Sequence, residues 1–173
     1  ATSGPSLCKD SPVDIIDETS GLDLPRAPGV LCNIFSVEKA LATSGFTNSG
    51  YDSDGILRQL PLLIVYQDRV YPHLSLATLM AAHNIRQAHV RDTFTGPVLF
   101  AGPFKIPITS AGGAMIRFCG PARAYTYISA ADLLSGAVKE SEIKNKMILI
   151  GSSAMGLNDI HHTPYAPHFP GIE

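Results

Sequence analysis

The sequence predicts an α/β fold, with a mixed parallel and antiparallel sheet that contains two hairpins and is covered by helices. Short apolar runs alternate with turns that contain Asp and Gly, and Gly accepts a positive φ without steric cost. Apolar residues at helical spacing lie between these runs. Residues 147–150 (MILI) are apolar on both faces, which is typical of a central strand with a layer on each side.

The first hairpin region spans residues 45–72. Asp54-Gly55 marks one turn, and Gln67-Asp68-Arg69 marks a second turn after the apolar run at residues 60–66. This pattern predicts a β-meander. A helix at residues 74–83 follows, and we expect it to be buried on more than one side because it is apolar almost all round.

The second hairpin is predicted at residues 105–119, around a turn at residues 110–113. Strands are predicted at residues 98–100 and 105–108, and nearby prolines confine them to the edges or ends of a sheet. Residues 86–95 are polar and favour no particular element.

Capping residues predict two further helices. Ser36 can cap a helix that ends before Gly45 and follows a short strand at residues 30–33. Ser129 and Asp132 place a hydroxyl at a helix cap and an acid near the positive end of the helix dipole.

The domain organisation predicted is an extended or mobile arm at residues 1–28 and one domain at residues 29–173. The arm is rich in Ser, Pro, Asp and Gly. The last residues, PGIE, have the character of a turn and the start of a new element, so we expect a piece of a longer protein. A membrane helix needs about 18 consecutive apolar residues, and no stretch of this sequence is apolar over that length.

Charge disfavours nucleic acid as a partner. Thirteen Lys and Arg residues stand against fifteen Asp and Glu residues, and the net charge is −2. The positive charges are scattered along the chain rather than clustered.

The three cysteines allow at most one bridge within the chain. Cys119 lies in an apolar segment and is predicted to be a buried thiol in a strand. Cys8 and Cys32 would form a disulfide that ties down the arm only in an oxidising compartment.

A ligand loop is the first candidate site. The segment GSSAMG at residues 151–156 follows the predicted central strand, where α/β proteins place ligand loops. Leu157 and Asn158 replace the Lys and Ser or Thr of a phosphate loop, and Met155 replaces a glycine of the nucleophile elbow. A tight exit from the strand is therefore preferred over nucleotide binding or hydrolysis.

The segment Asp52-Ser53-Asp54-Gly55 is the second candidate, as a calcium loop. Pro61 stands where an EF-hand loop requires a bidentate Glu, so a hairpin turn is preferred. Arg58 is expected to brace that turn through an Asp–Arg pair.

Histidines provide the third candidate. Asp159, His161, His162 and His168 form the one metal-like cluster in the sequence, but adjacent histidines on an extended chain point to opposite sides. A polar surface loop is therefore preferred over a zinc site. No catalytic residue, metal or cofactor is predicted. The isolated histidines are expected at helix edges or on the surface: His73, His83 and His89.

Several sequence blocks in a fixed order resemble the second type of CHASE domain (cyclase- and histidine-kinase-associated sensory extracellular). The resemblance covers residues 30–173. The family has a strand–helix unit before this region and its pattern continues past Glu173, so the domain is expected to be truncated at both ends relative to the family. The blocks are Gly45-Phe46-Thr47-Asn48, Asp52-x-Asp54-Gly55-x-x-Arg58, Leu60-Pro61-Leu62, Tyr71-Pro72, residues 128–134 (ISAADLL), residues 148–154 (ILIGSSA), residues 156–159 (GLND), Thr163-Pro164 and residues 170–173 (PGIE).

The resemblance implies an extracytoplasmic sensor domain, periplasmic or extracellular, of a bacterial membrane receptor. The implied output is an adenylate or guanylate cyclase, with a histidine kinase or a diguanylate cyclase as alternatives. The domain itself is expected not to be an enzyme, whereas the parent protein is expected to be one. A secreted binding module or a small hydrolase is the alternative from another class.

The implied partners are a small-molecule or periplasmic ligand and a second copy of the receptor. Ligand-binding residues are expected near the ends of the predicted central strand: Asp54 and Arg58 on the hairpin, and Ser153 and Asp159 after the strand. A shift that depends on ligand binding or dimerisation would then reach the membrane segment after Glu173.

Overall fold

The computed structural model describes residues 14–17, 21–121, 123–152 and 160–172. The chain divides into two compact units. Unit 1 comprises Ala1–Gly50 and Gln59–Ile116, and unit 2 comprises Tyr51–Arg58 and Arg117–Glu173.

The described part of unit 1 contains most of the regular structure. Its elements are β1 (Asp14–Asp17), α1 (Phe35–Ala40), β2 (Gln59–Pro61), β3 (Leu63–Tyr66), β4 (Arg69–Pro72), α2 (Leu74–Ala82), β5 (Gln87–Thr93), β6 (Gly96–Ala101), β7 (Phe104–Pro107) and β8 (Gly113–Met115). Those of unit 2 are α3 (Ala130–Leu134), α4 (Glu140–Ile143), β9 (Ile160–His161) and β10 (Phe169–Pro170).

A four-stranded sheet with the order β1-β5-β6-β7 is the largest element of unit 1. β5, β6 and β7 are successive antiparallel neighbours, and β1 pairs with β5 in parallel. The strand β1 lies within the arm predicted at residues 1–28. That segment therefore supplies an edge strand of the sheet.

The predicted turn at residues 67–69 is confirmed. β3 and β4 form an antiparallel hairpin, in which Val65 faces Val70. Gln67 and Asp68 both have a positive φ, of 48° and 59°. Two consecutive residues with positive φ match the right-handed twist of the flanking strands.

The predicted hairpin at residues 105–119 is wrong. β7 pairs with β6 across a turn in which Gly102 has a φ of 55°, and β8 pairs with β2. Of the two placements predicted for residues 98–100, at an edge or near a strand end, the edge is ruled out because β6 lies between β5 and β7, whereas β7 does lie at the edge of the sheet. Pro97 is the second residue of β6, so its missing N–H removes a bond only near the end of the strand.

One side of α2 faces a hydrophobic core. Leu76, Ala77 and Met80 are buried, whereas Leu74 and Ala81 are exposed, so the expectation that this helix is buried on several sides is wrong. Helices α1, α3 and α4 have no buried residue among those described, and the predicted covering of the sheet by helices is not seen there. The core cluster comprises Leu62, Leu63, Leu76, Met80, Ala88, Val90, Leu99, Ala101 and Ile108.

Gly45 and Phe46 dock against the start of α2. Phe46 N–H donates to the Pro72 carbonyl (3.1 Å), and Leu74 N–H donates to the Phe46 carbonyl (2.8 Å). A Cβ atom on Gly45 would lie 2.7 Å from the Leu74 Cα atom, so only glycine allows this approach. The His73 side chain caps α2 by accepting from the Ser75 N–H (3.2 Å).

The two capping predictions have different outcomes. Ser129 caps α3 by accepting from the Ala131 N–H at 3.2 Å, as predicted. Ser36 does not cap α1, because the helix already begins at Phe35 and its cap residue, Ile34, has no side-chain hydrogen bond.

The predicted strands at residues 147–150 and 30–33 are wrong. Neither segment pairs with any described strand, and Met147, Ile148, Leu149 and Ile150 are 54–93% exposed. An apolar run indicates a preference for burial, but it does not specify the neighbour that would cover it.

Cys119 and Cys32 differ in oxidation state. Cys119 is exposed and lies outside any strand, so its predicted burial is wrong. Its thiol accepts a hydrogen bond from the Tyr125 hydroxyl at 3.1 Å. Cys32 is disulfide-bonded, and its predicted partner, Cys8, lies outside the described residues.

Candidate functional site

The predicted turn around Asp54-Gly55 is confirmed. Gly55 N–H donates to the Asp52 carbonyl (2.9 Å), and Asp52 N–H donates to the Ile56 carbonyl (3.1 Å). The Asp54 carboxylate accepts from the Ile56 N–H at 3.0 Å. Gly55 has a φ of 78°, which a residue with a Cβ atom adopts only with strain.

Arg58 braces this turn through two carboxylates, as predicted. Its two terminal nitrogens bind Asp54 in a bidentate pair, at 3.0 Å (Nη1–Oδ1) and 2.8 Å (Nη2–Oδ2). Nη1 also binds Oδ2 of Asp52 at 2.7 Å. Three charged groups thus lie within seven residues of sequence, and their summed charge is negative. Bidentate Arg–carboxylate pairs combine strength with a fixed geometry.

The ion pairs shift two pKa values. Hydrogen bonds from Arg58, and then from the Ile56 N–H, lower the pKa of Asp54 from 3.8 to about 2. The Asp54 and Asp52 carboxylates raise the pKa of Arg58. Both groups are therefore charged at every physiological pH.

Two hydrogen bonds connect the segment 51–58 to strand β9 and to His162, the residue after it, all in the same unit. The Tyr51 hydroxyl lies 2.6 Å from Nδ1 of His161. Leu57 N–H donates to the carbonyl of His162 at 2.7 Å. β9 in turn pairs with β10, where His161 faces Phe169. The turn, β9 and β10 therefore form one continuous hydrogen-bonded arrangement.

Aromatic residues pack around β10, which lies at the end of this hydrogen-bonded arrangement. Phe169 is 4% exposed, and its ring lies 5.6 Å from that of Phe118. Tyr165 also contacts Phe118, with a ring separation of 5.9 Å. Thr163 N–H donates to the Ala166 carbonyl at 3.0 Å, which closes the loop between β9 and β10.

The structure brings together two of the four predicted ligand residues, Asp54 and Arg58. Ser153 and Asp159 lie outside the described residues. The argument that placed all four at the end of a central strand fails, because residues 147–150 are not a strand. Tyr51 and His161 were missed, since they are 110 positions apart and no local signal connects them.

The described histidines lie in helix ends, strands and loops and do not form a metal site. Rings of His162 and His168 lie 6.2 Å apart, but in the described parts of the chain no three His, Cys, Asp or Glu residues are arranged to hold a metal ion. His73 and His83 lie at the two ends of α2, as expected for helix-edge residues, and His89 lies in β5. Burial lowers the pKa of His73.

Comparison with known families identifies the chain. The model of the CHASE2 domain matches residues 7–173, which extends the resemblance seen in the sequence toward the N-terminus. No curated protein and no solved structure matched the chain. None of the helices in the described residues has the length and hydropathy of a membrane span. The chain belongs to the CHASE2 domain family, an extracytoplasmic, non-catalytic sensor domain of signalling receptors.

Proposed function

We propose that this domain is the sensor of a bacterial membrane receptor whose output is an adenylate or guanylate cyclase. The observation that carries the proposal is the match to the CHASE2 family over residues 7–173. Domains of this kind precede membrane helices and a cytoplasmic output domain in the receptors that the sequence resembles. A histidine kinase or a diguanylate cyclase as the output is the alternative within the same class.

The proposed signal is a shift that passes from the segment 51–58 to the chain after Glu173. Tyr51 binds His161 of β9 and Leu57 binds His162, the next residue; β9 pairs with β10, which ends three positions before Glu173. A displacement of the turn would therefore move β10 through hydrogen bonds rather than through a flexible connection. A ligand can favour this shift only if it binds the two states with different affinities.

The proposed ligand contacts are Asp54, Arg58, Ser153 and Asp159. The Arg58 guanidinium is already held by Asp52 and Asp54, so an anionic ligand would have to displace a carboxylate from it. Such an exchange would release the brace of the turn and provides a physical route from binding to movement. The parent receptor is proposed to be membrane-anchored and to act as a homodimer, since paired output domains require two copies.

The test measures cyclic-nucleotide production in membranes that contain the parent protein. We expect Arg58→Ala to change basal output or its response to periplasmic extract by severalfold, while the amount of receptor stays constant. Arg26→Ala is the matched control, because Arg26 forms a single, highly exposed ion pair with Asp68 and is expected to leave output unchanged. Equal output from the original protein, Arg58→Ala and Arg26→Ala would contradict the proposed route.

The purified 173-residue chain provides a second readout. We expect no turnover of generic ester or phosphoester substrates by this chain. Turnover that scales with its concentration would contradict the sensor proposal and support the small hydrolase.

A further inference from the structure

The segment Met147-Ile148-Leu149-Ile150, called the apolar run below, has no partner within the described parts of the chain. Its four side chains are 60%, 54%, 63% and 93% exposed, in chain order. Its backbone N–H and C=O groups make no hydrogen bond with any described residue, because the run belongs to no helix or strand there. Unpaired backbone groups along an extended apolar segment are a template for a further strand.

Unit 2, to which the apolar run belongs, has little core of its own. Among its described residues the buried hydrophobic ones are Leu57 and Phe169, whereas the core cluster lies entirely in unit 1. Helices α3 and α4, which precede the run, have no buried residue. Soluble monomers rarely expose a contiguous apolar segment of this kind unless it binds a partner. The apolar run therefore has the character of an interface.

The outer edge of β7 differs from the apolar run in its capacity to pair. Ile108 N–H donates to the Pro97 carbonyl of β6 at 3.0 Å, so the alternate residues Lys105 and Pro107 turn away from β6. Proline has no N–H to donate, and lysine and proline are the residues with which proteins protect sheet edges from pairing. The apolar run contains neither, so it remains open to a further strand.

The charges at the two ends of the apolar run favour a second copy as its partner, in antiparallel orientation. Lys146 precedes the run and Gly151 follows it. A twofold axis between Ile148 and Leu149 sets the lysine of each copy opposite the glycine of the other. At about 3.4 Å per residue, the two lysines then lie about 17 Å apart along the strands, beyond the screening length of about 8 Å. Parallel pairing in register would place them side by side, about 5 Å apart.

We propose that residues 146–151 pair as an antiparallel strand with the same segment of a second copy and so form the dimer interface. The inference rests on the homodimer of the proposed function and names the surface that builds it. A Cβ atom on Gly151 would collide with the Ile172 side chain, so the end of the apolar run lies directly against the last described residue of the chain. The interface therefore adjoins the point at which the proposed signal leaves the domain.

The experiment follows the mass and the amide hydrogen exchange of the 173-residue chain from low-micromolar to submillimolar concentration. In analytical ultracentrifugation we expect the mass to rise from the chain mass of 18.4 kDa to twice that value. Over the same range, mass spectrometry is expected to show slower exchange in peptides that cover residues 147–150, because pairing gives their N–H groups partners. Peptides that cover the sheet strands β5 and β6 are expected to exchange equally at all concentrations.

A matched pair of substitutions tests the assignment of the interface. Leu149→Lys is expected to weaken the dimer roughly tenfold or more, because it removes a buried leucine from the interface and places two like charges beside the axis. Leu31→Lys is the control, since Leu31 is fully exposed and lies outside the apolar run. Leu149 is also exposed in the single chain, so both variants are expected to keep the Tm of the original monomer at low concentration.

Three results would overturn the proposal. The first is a mass of 18.4 kDa at every concentration, which would leave the apolar run to a different partner. The second is slow exchange of residues 147–150 that does not depend on concentration, or loss of the fold in Leu149→Lys alone, since either would show that the run is covered within one chain. The third is equal dimerisation of Leu149→Lys and Leu31→Lys. None of these results bears on cyclic-nucleotide production in membranes, so failure of this interface and failure of the proposed receptor function can be told apart.

Discussion

Arg58 binds Asp54 through two parallel hydrogen bonds, of 3.0 and 2.8 Å, and holds Asp52 with the same guanidinium. The pair closes a turn whose neighbours Tyr51 and Leu57 bind His161 of β9 and His162 just after it. The Arg58 side chain therefore fixes both the shape of the turn and the positions of Tyr51 and Leu57, which attach the turn to the rest of the unit.

Replacing Arg58 tests this brace. We expect Arg58→Lys to lower the Tm of the chain slightly and Arg58→Ala to lower it more, because lysine keeps the charge but cannot form a bidentate pair. Both effects are expected to be modest, since the ion pairs are partly exposed. Thermal unfolding followed by circular dichroism measures the shift, with Arg26→Ala as the control. A Tm for Arg58→Ala equal to that of the control would contradict the brace.

The pH dependence of stability tests the Asp54 pKa. The folded pKa is about 2 and the ordinary value is 3.8, so the folded state holds the Asp54 proton less tightly than the unfolded state. The stabilisation is complete above the ordinary pKa and is lost as the pH falls from about 4 through about 2. Urea midpoints across this range are expected to decline less in Asp54→Asn, which cannot ionise. Parallel declines in both proteins would contradict the shift.

His73 predicts a second pH dependence, at higher pH. Burial lowers its folded pKa below the ordinary value of 6.5, so the unfolded state binds more protons below about pH 6.5. Stability is therefore expected to be complete above that pH and to fall as the pH decreases below it. Protonation of Nδ1 would also remove the acceptor for the Ser75 N–H.

The His73→Asn variant separates these effects. Asn caps a helix without titrating, so this variant is expected to lose much of the change in urea midpoint between about pH 7.5 and about pH 5.5. His73→Ala loses the cap as well, which costs about 1 kcal/mol at either pH. If the pH dependence of His73→Asn matched that of the original chain, His73 would not be its source.

Gly45 tests the docking of the Gly45-Phe46 segment on α2. Alanine at this position would place Cβ 2.7 Å from a backbone atom of Leu74, and backbone cannot move aside as a side chain can. We expect Gly45→Ala to lower the free energy of unfolding by about 1–3 kcal/mol, the usual cost of overpacking. Gly50→Ala is the control, because a Cβ atom there has nothing within 4 Å. Equal stabilities of the two variants, measured by urea unfolding, would contradict the close approach.

Local chemistry made some features predictable from the sequence. The Asp54-Gly55 turn, the Arg58 pair, the hairpin at Gln67-Asp68 and the Ser129 cap each depend on residues within six positions of one another. The helix α2 was predictable because its apolar content is high over nine residues. The family could be recognised because several short sequence blocks occur in a fixed order.

Long-range pairing made the remainder unpredictable. β5 was missed because Arg91 and its other outward-facing residues are polar and mask the alternation of Ala88 and Val90. Residues 147–150 have the composition of a central strand, yet they pair with none of the described strands. The Tyr51–His161 contact joins distant positions, so neither residue carries a signal on its own.

Labelling of Cys119 in intact cells tests the central claim most directly. Cys119 is exposed and free, whereas Cys32 is disulfide-bonded and cannot react. In cells that make the parent protein, a charged maleimide that does not cross the inner membrane is predicted to label it before lysis as fully as after lysis. Cys119→Ser is the control for labelling elsewhere. Labelling of Cys119 only after lysis would place the domain in the cytoplasm and contradict the account.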